Sequence, residues 1–140
     1  MSGEVSTTRT AVAHGPTGSL GSHGGPFTTR QLTRIDEALT LSSRESGLAF
    51  SGYVGDLAAP TRAHAEALFE KLGADSVLVA VSPGQRNLHI VTGEESAKRL
   101  PNRACALAAL AMRASFSNGD LTGGIVIGLR MLADSAGGAR

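Results

Sequence analysis

The sequence predicts an α/β fold: a three-layer α/β/α sandwich in which helices cover a mixed sheet of three to four strands. Three observations predict it. The stretch SVLVAVS, residues 76 to 82, is apolar on both of its alternating faces, as expected of a central strand covered by helices on each side. A second apolar run, NLHIVT, follows it across PGQRN, where Pro83 and Gly84 suit a chain reversal, so the two read as an antiparallel hairpin. Segments of helical periodicity flank the strands, giving the order α, β, α, β, β, α, α, α, which suits a mixed sheet better than a strictly alternating parallel one.

Order is expected to begin at residue 27. Thr28 and, three residues on, Gln31 have the form of a capping box, and Leu32, Ile35 and Leu39 recur at helical spacing. Gly47 then stops the helix, because glycine accepts the left-handed backbone that closes a last turn. In LAFSGYV, Leu48, Phe50 and Val54 alternate with Ala49, Ser51 and Tyr53 in the two-residue period of a half-buried strand, which ends in the loop GDLAAPT. Thr61 to Leu72 places Ala65, Leu68, Phe69 and Leu72 on one helical face, with Gly73 as the stop. Residues 48 to 82 thus form a βαβ unit, for which a right-handed crossover is expected.

After Gly93, EESAKR offers Glu94 to Lys98 and Glu95 to Arg99 in the favourable i, i+4 order of a short exposed helix. Pro101 suits the first turn of the next helix, PNRACALAALAMRASF, whose alanines and leucines favour helix and close packing. It breaks at SNGD. The last helix starts near Thr122 and carries Ile125, Val126, Leu129, Leu132 and Ala133 inward.

The chain has 140 residues, enough for one domain that removes roughly two-thirds of its unfolded surface from water. Residues 1–26 are rich in Gly, Ser and Thr and poor in bulky apolar side chains, so they are expected to stay disordered, and residues 137–140 to fray. No secretion signal and no run of about eighteen apolar residues is present, which points to the cytoplasm with no membrane anchor. Thirteen Lys and Arg against twelve Asp and Glu leave a net charge of +1, so no broad basic field exists for a nucleic-acid backbone or an anionic membrane. Four Phe and one Tyr provide no basic and aromatic alternation for stacking bases. Cys105, the single cysteine, sits among alanines and reads as a buried, inert thiol.

No phosphate-binding glycine loop follows a strand, and Ser51 lies inside a strand without the spaced glycines of a nucleophile elbow. His14, His23, His64 and His89 show no metal-ligand spacing; His64 is expected to be solvated on a helical turn, and His89 to lack a catalytic partner. Two sets of residues remain. Lys98, Arg99 and Arg103 flank a helix start, and together with Asn118 and Gly119 they form a candidate rim for an anion or a protein partner. Asp56 closes a strand and Asp120 precedes a helix; with carbonyls of the glycine-rich loops they are the candidate ligands for Ca²⁺, which takes about six to eight oxygens. The competing role for Asp120 is to cap the helix behind it.

A strand pair ending RNLHIVTG, then a basic helix, then FSNGD and a final helix GGIVIGL resembles the TPM domain, a family named for a thylakoid lumen protein, a photosystem repair protein and a modulator of an acetylcholine receptor. Residues 27 to 136, with SGLAFSGYVGD and RLPNRACALAALAM, are similar to an actinobacterial branch related to that family. The resemblance implies an α/β/α sandwich and a role that differs among members: acid phosphatase, Ca²⁺ binding, or assistance to membrane complexes. Carried over by position, it reaches Asp56, Gly119 and Asp120. Relatives commonly carry a signal or membrane anchor, and this chain has TGEES where many have a further glycine motif. The expected function is therefore a cytoplasmic binding or accessory module, with a weak metal-assisted phosphatase and a Ca²⁺-binding, non-enzymatic domain as alternatives.

Overall fold

A computed structural model of the chain describes the backbone of residues 12–14 and the whole of residues 27–138. Its elements are β1 (Val12–His14), α1 (Thr29–Ser46), β2 (Ala49–Val54), α2 (Thr61–Phe69), β3 (Ser76–Ser82), β4 (Asn87–Thr92), α3 (Asn102–Ser117) and α4 (Leu121–Ala136). The strands lie in the order β1-β2-β3-β4, with β1, β2 and β3 parallel and β4 antiparallel to β3. This is the mixed, helix-covered sheet that the sequence predicts, with β2-α2-β3 as its βαβ unit.

Alternation along the strands sorts the core into two layers. Phe50, Val54, Val77, Val79, Val81, Leu88 and Ile90 point to one face and pack under α1, α3 and α4 with Ile35, Leu39, Met112, Leu129 and Leu132. Tyr53, Leu78, Ala80 and Val91 point to the other face and pack under α2 with Leu57, Ala65 and Leu68. The reading of β2 as half-buried is corrected here: all its residues are buried, because α2 covers the face that carries Ala49, Ser51 and Tyr53.

The ends of α1 follow the sequence closely. Thr28 Oγ1 accepts from the Gln31 N–H at 3.1 Å while Gln31 Oε1 accepts from the Thr28 N–H at 2.9 Å, and Gly47 closes the helix at φ 81°. Elsewhere boundaries shift for identifiable reasons. The helix expected to reach Leu72 stops at Phe69, where the bonding tightens and the Leu72 N–H reaches Phe69 O instead of Leu68 O. The short exposed helix expected at residues 94–99 is one 3₁₀ turn, Ser96–Lys98, because the Ser96 side chain turns inward: its Oγ accepts from the Gly93 N–H at 2.8 Å and donates to Ser76 O at 2.7 Å. Lys98 then pairs with Glu95 at 3.3 Å rather than Glu94. The last helix begins at Leu121, and Val126, expected inward, is half-buried.

The expectations of a disordered tail and a frayed end fall mostly on residues outside those described. Two described parts depart from them. Val12–His14 adds an edge strand, in register with Gly52 to Val54, and the carbonyls of Gly137 and Gly138 are held by Arg99.

Candidate anion-binding cleft

Parallel strands end where the chain must turn into a helix or a hairpin, so loops collect at that rim. The hairpin between β3 and β4 turns through Pro83–Gln85, with Arg86 in the left-handed conformation at φ 56°. Across from it, α3 ends at Ser117, Gly119 turns the chain at φ 81°, and α4 begins. A cleft of about 500 Å³ lies between these two turns. Arg86 and Asn87 come to it from the hairpin, Arg113, Phe116 and Ser117 from the end of α3, and Gly119 and Leu121 from the turn into α4. Val81, Ser82, Pro83 and Leu88 complete its lining.

Among the described residues its charge is one-sided, since Arg86 and Arg113 are its ionisable lining groups and both are cations. Val81, Leu88, Phe116 and Leu121 give it apolar walls, while Arg86 and Arg113 themselves are exposed. The hairpin lip is anchored by Gln85, which reaches across to the loop after β2. Gln85 Oε1 accepts from the Leu57 N–H at 2.8 Å and from Ser82 Oγ, and Gln85 Nε2 donates to Leu57 O at 2.9 Å.

The candidate rim read from the sequence is divided by this geometry. Gly119 lines the cleft, and Asn118 is exposed beside it in the same turn. Lys98, Arg99 and Arg103 gather instead at the opposite end of α3; at about 1.5 Å rise per residue, Arg103 lies roughly 15 Å from Arg113 along the axis. Arg99 is committed to the C-terminus of α4, donating to the carbonyls of Ala136, Gly137 and Gly138 at 2.9 to 3.2 Å.

Neither Asp56 nor Asp120 lines the cleft. Asp120 caps α4, its Oδ1 accepting from the Gly123 N–H at 2.8 Å, while Asp56 is exposed and its carbonyl accepts from the Tyr53 hydroxyl at 2.8 Å. Among the described residues no three His, Cys, Asp or Glu side chains gather where they could hold a metal ion. The two carboxylates therefore supply few of the oxygens that Ca²⁺ requires.

The remaining reactive groups are occupied in packing. His64, expected to be solvated, accepts at Nδ1 from the Ala58 N–H at 2.7 Å and meets the Tyr53 ring edge-on. Cys105 is half-buried, and burial pushes its thiol pKa up. His89 lies on the α2 side of β4 and shares a hydrogen bond of 2.9 Å with Thr61 Oγ1. Burial first, then the positive charges of Arg62 and Arg113, lower its pKa from the ordinary 6.5. In the window just below that value the unfolded chain binds the proton more readily than the folded one, so stability is full above about pH 6.5 and falls as pH drops through the folded value. Wild type is accordingly expected to lose more melting temperature between pH 7 and pH 5 than His89→Gln; parallel curves would refute this.

Sequence reasoning named neither Arg86 nor Arg113 as a site residue, and it took Phe116 only as part of the FSNGD motif. The signal at Arg113 and Phe116 was modest: a cation and an aromatic three residues apart, on one face of a helix rich in alanine and leucine, just before a Gly-Asp turn.

A family model described as Domain of unknown function (DUF5130) matches residues 1–133. The chain is 35% identical over 110 residues to the uncharacterized proteins MT2543 and Rv2468c of Mycobacterium tuberculosis, strains CDC 1551 and H37Rv; each match covers 77% of this chain and 66% of the relative. The fold is similar to the solution NMR structure of the N-terminal domain of a protein from P. gingivalis, with a TM-score of 0.73 at 14% identity over 92% of this chain and 82% of that one. It is also similar to the N-terminal domain of the cg2496 protein from Corynebacterium glutamicum, with a TM-score of 0.62 at 16% identity over 81% of this chain and 76% of that one. At such identities the two structures speak for the fold. No helix among the described residues is long and apolar enough to cross a membrane.

Proposed function

The chain belongs to the DUF5130 family, and from that premise we propose that its domain is a binding or accessory module whose rim cleft holds a small anion. One observation carries the reading: Arg86 and Arg113 approach a single apolar-walled cleft whose described lining contains no carboxylate to neutralise them. A planar guanidinium presents paired donors that match a carboxylate or phosphate. Arg113 is seated on a helix, and the turn that carries Arg86 is tied to Leu57 through Gln85.

Kinship with the TPM domain belongs to the same proposal, supported by the α/β/α layering and by the Gly-Asp turn standing opposite the hairpin. The phosphatase alternative has less support. Among the described residues Ser82 and Ser117 are the cleft's hydroxyls, Ser82 already donates to Gln85, and no His, Asp, Glu or Cys lines the cleft to serve as a base.

Titration of ¹⁵N-labelled protein with inorganic phosphate and with benzoate tests the proposal. Saturable shifts are expected at residues 86–88, 113 and 116–121, with affinity about tenfold weaker in Arg113→Gln, the loss of one charge-assisted pair. Equal affinity in the Arg86→Asn/Arg113→Gln double variant would sink it. Hydrolysis of an aryl phosphate that disappears in that double variant would replace binding with the phosphatase reading. A parallel titration with CaCl₂ tests the metal alternative through shifts at Asp56 and Asp120.

A further inference from the structure

The cleft adjoins the outer edge of β4, with which no further strand pairs among the described residues. β4 ends the strand order, and the direction of its peptide groups follows from β3. Asp75 O accepts from the Ala49 N–H and Val81 O from the Gly55 N–H, both at 3.0 Å. The odd-numbered residues of β3 therefore turn their peptide groups toward β2, and the even-numbered ones turn theirs toward β4. Leu88, opposite Val81, and Ile90, opposite Val79, consequently occupy non-hydrogen-bonded pairs and direct their N–H and C=O away from the sheet. The Ile90 carbonyl bears this out by accepting from Arg62 Nη1 at 3.2 Å. Leu88 lies one pairing step nearer the hairpin and lines the cleft with Arg86 and Arg113.

We propose that the cleft receives the carboxyl terminus of an extended polypeptide, which pairs with the outward peptide groups of Leu88 and places its terminal carboxylate between Arg86 and Arg113. The inference rests on the anion-binding reading and narrows it to one ligand class. Each part of a peptide end has a counterpart in the cleft. An added strand needs one donor and one acceptor on the same residue, and Leu88 presents both. The terminal carboxylate finds two guanidinium groups, and the last side chain finds an apolar seat against Phe116 and Leu121. Arg62 also sets the length. Its guanidinium sits against the Ile90 carbonyl, where the next pairing step would form, so the edge favours a short terminus over a long strand.

Fluorescence anisotropy tests this with fluorescein-labelled hexapeptides, degenerate at the first five positions and ending in leucine, made as free acids and as amides. The free acids are expected to bind about tenfold more tightly than the amides, and Arg86→Asn and Arg113→Gln each to reduce that preference severalfold. Methylating the peptide nitrogen that would donate to Leu88 O should weaken binding to a similar extent, a loss requiring no change in the protein. Lys98→Gln, at the far end of α3, should leave binding unchanged. Melting temperatures equal to wild type establish that the arginine variants are folded. Equal binding of acid and amide, or indifference to the N-methyl group, overturns the inference. If no peptide binds while inorganic phosphate still shifts residues 86–88 and 113, the peptide inference falls and the anion reading stands; if phosphate also fails, both fall.

Discussion

Phe50→Ala is expected to destabilise the domain by about 4 kcal/mol, within the range for a large aromatic removed from a packed core. Phe50 is fully buried in the second strand of the sheet, opposite Val77, and belongs to the layer closed by Ile35, Leu39, Leu129 and Leu132. Its N–H donates to Ser43 Oγ at 3.0 Å, so the backbone is fastened to α1 and cannot easily move to fill the void. Domains of ordinary stability have only about 5 to 15 kcal/mol in hand, so much of this one would be at risk. Urea denaturation followed by circular dichroism checks it through the midpoint at unchanged slope. A loss below about 1 kcal/mol would mean that the three-helix layer is not packed over this strand as described.

Gly93→Ala should cost about 3 kcal/mol, although only a methyl group is added. A Cβ there would stand 2.5 Å from the Ala74 carbonyl oxygen, 2.9 Å from its carbonyl carbon and 3.0 Å from its Cα. The neighbour cannot retreat cheaply. Ala74 O accepts from the N–H groups of Glu95 at 2.9 Å and Ser96 at 3.1 Å, and Ser96 Oγ ties Gly93 to Ser76. Moving Ala74 would strain all of these contacts together. Gly84→Ala is the control: nothing lies within 4 Å of its added Cβ, and a change within about 0.5 kcal/mol is expected at such a surface position. Equal thermal midpoints for the two variants would refute the steric account.

The parts of the fold that local chemistry dictates were legible. A capping box, a C-terminal glycine and a two-sided apolar strand each specify their own conformation, and Thr28, Gly47 and residues 76–82 behave accordingly. The burial of Ser51 and Tyr53 was not legible, because it depends on α2 folding back over β2. Nor was β1, whose three residues carry little signal and owe their place to pairing with Gly52, Tyr53 and Val54. Neighbouring charges in the sequence are likewise a poor guide to shared sites. Arg99 and Arg103 are neighbours of Lys98 in sequence, yet Arg99 is spent on the end of α4, and the cations that share a cleft, Arg86 and Arg113, are far apart along the chain. Asp120 invited a metal reading from its glycine neighbours, whereas its carboxylate is taken by the start of a helix.

Gln85 has a mechanical consequence. One side-chain amide, with both its oxygen and its nitrogen engaged by Leu57, buttons the cleft's lip to the loop that leads into α2 on the far side of the sheet. The lip cannot swing without dragging that loop, and so the doorway is stiff before any guest arrives. Little freedom is left to be lost on binding there, and selectivity at the threshold falls to the shape and charge of what enters.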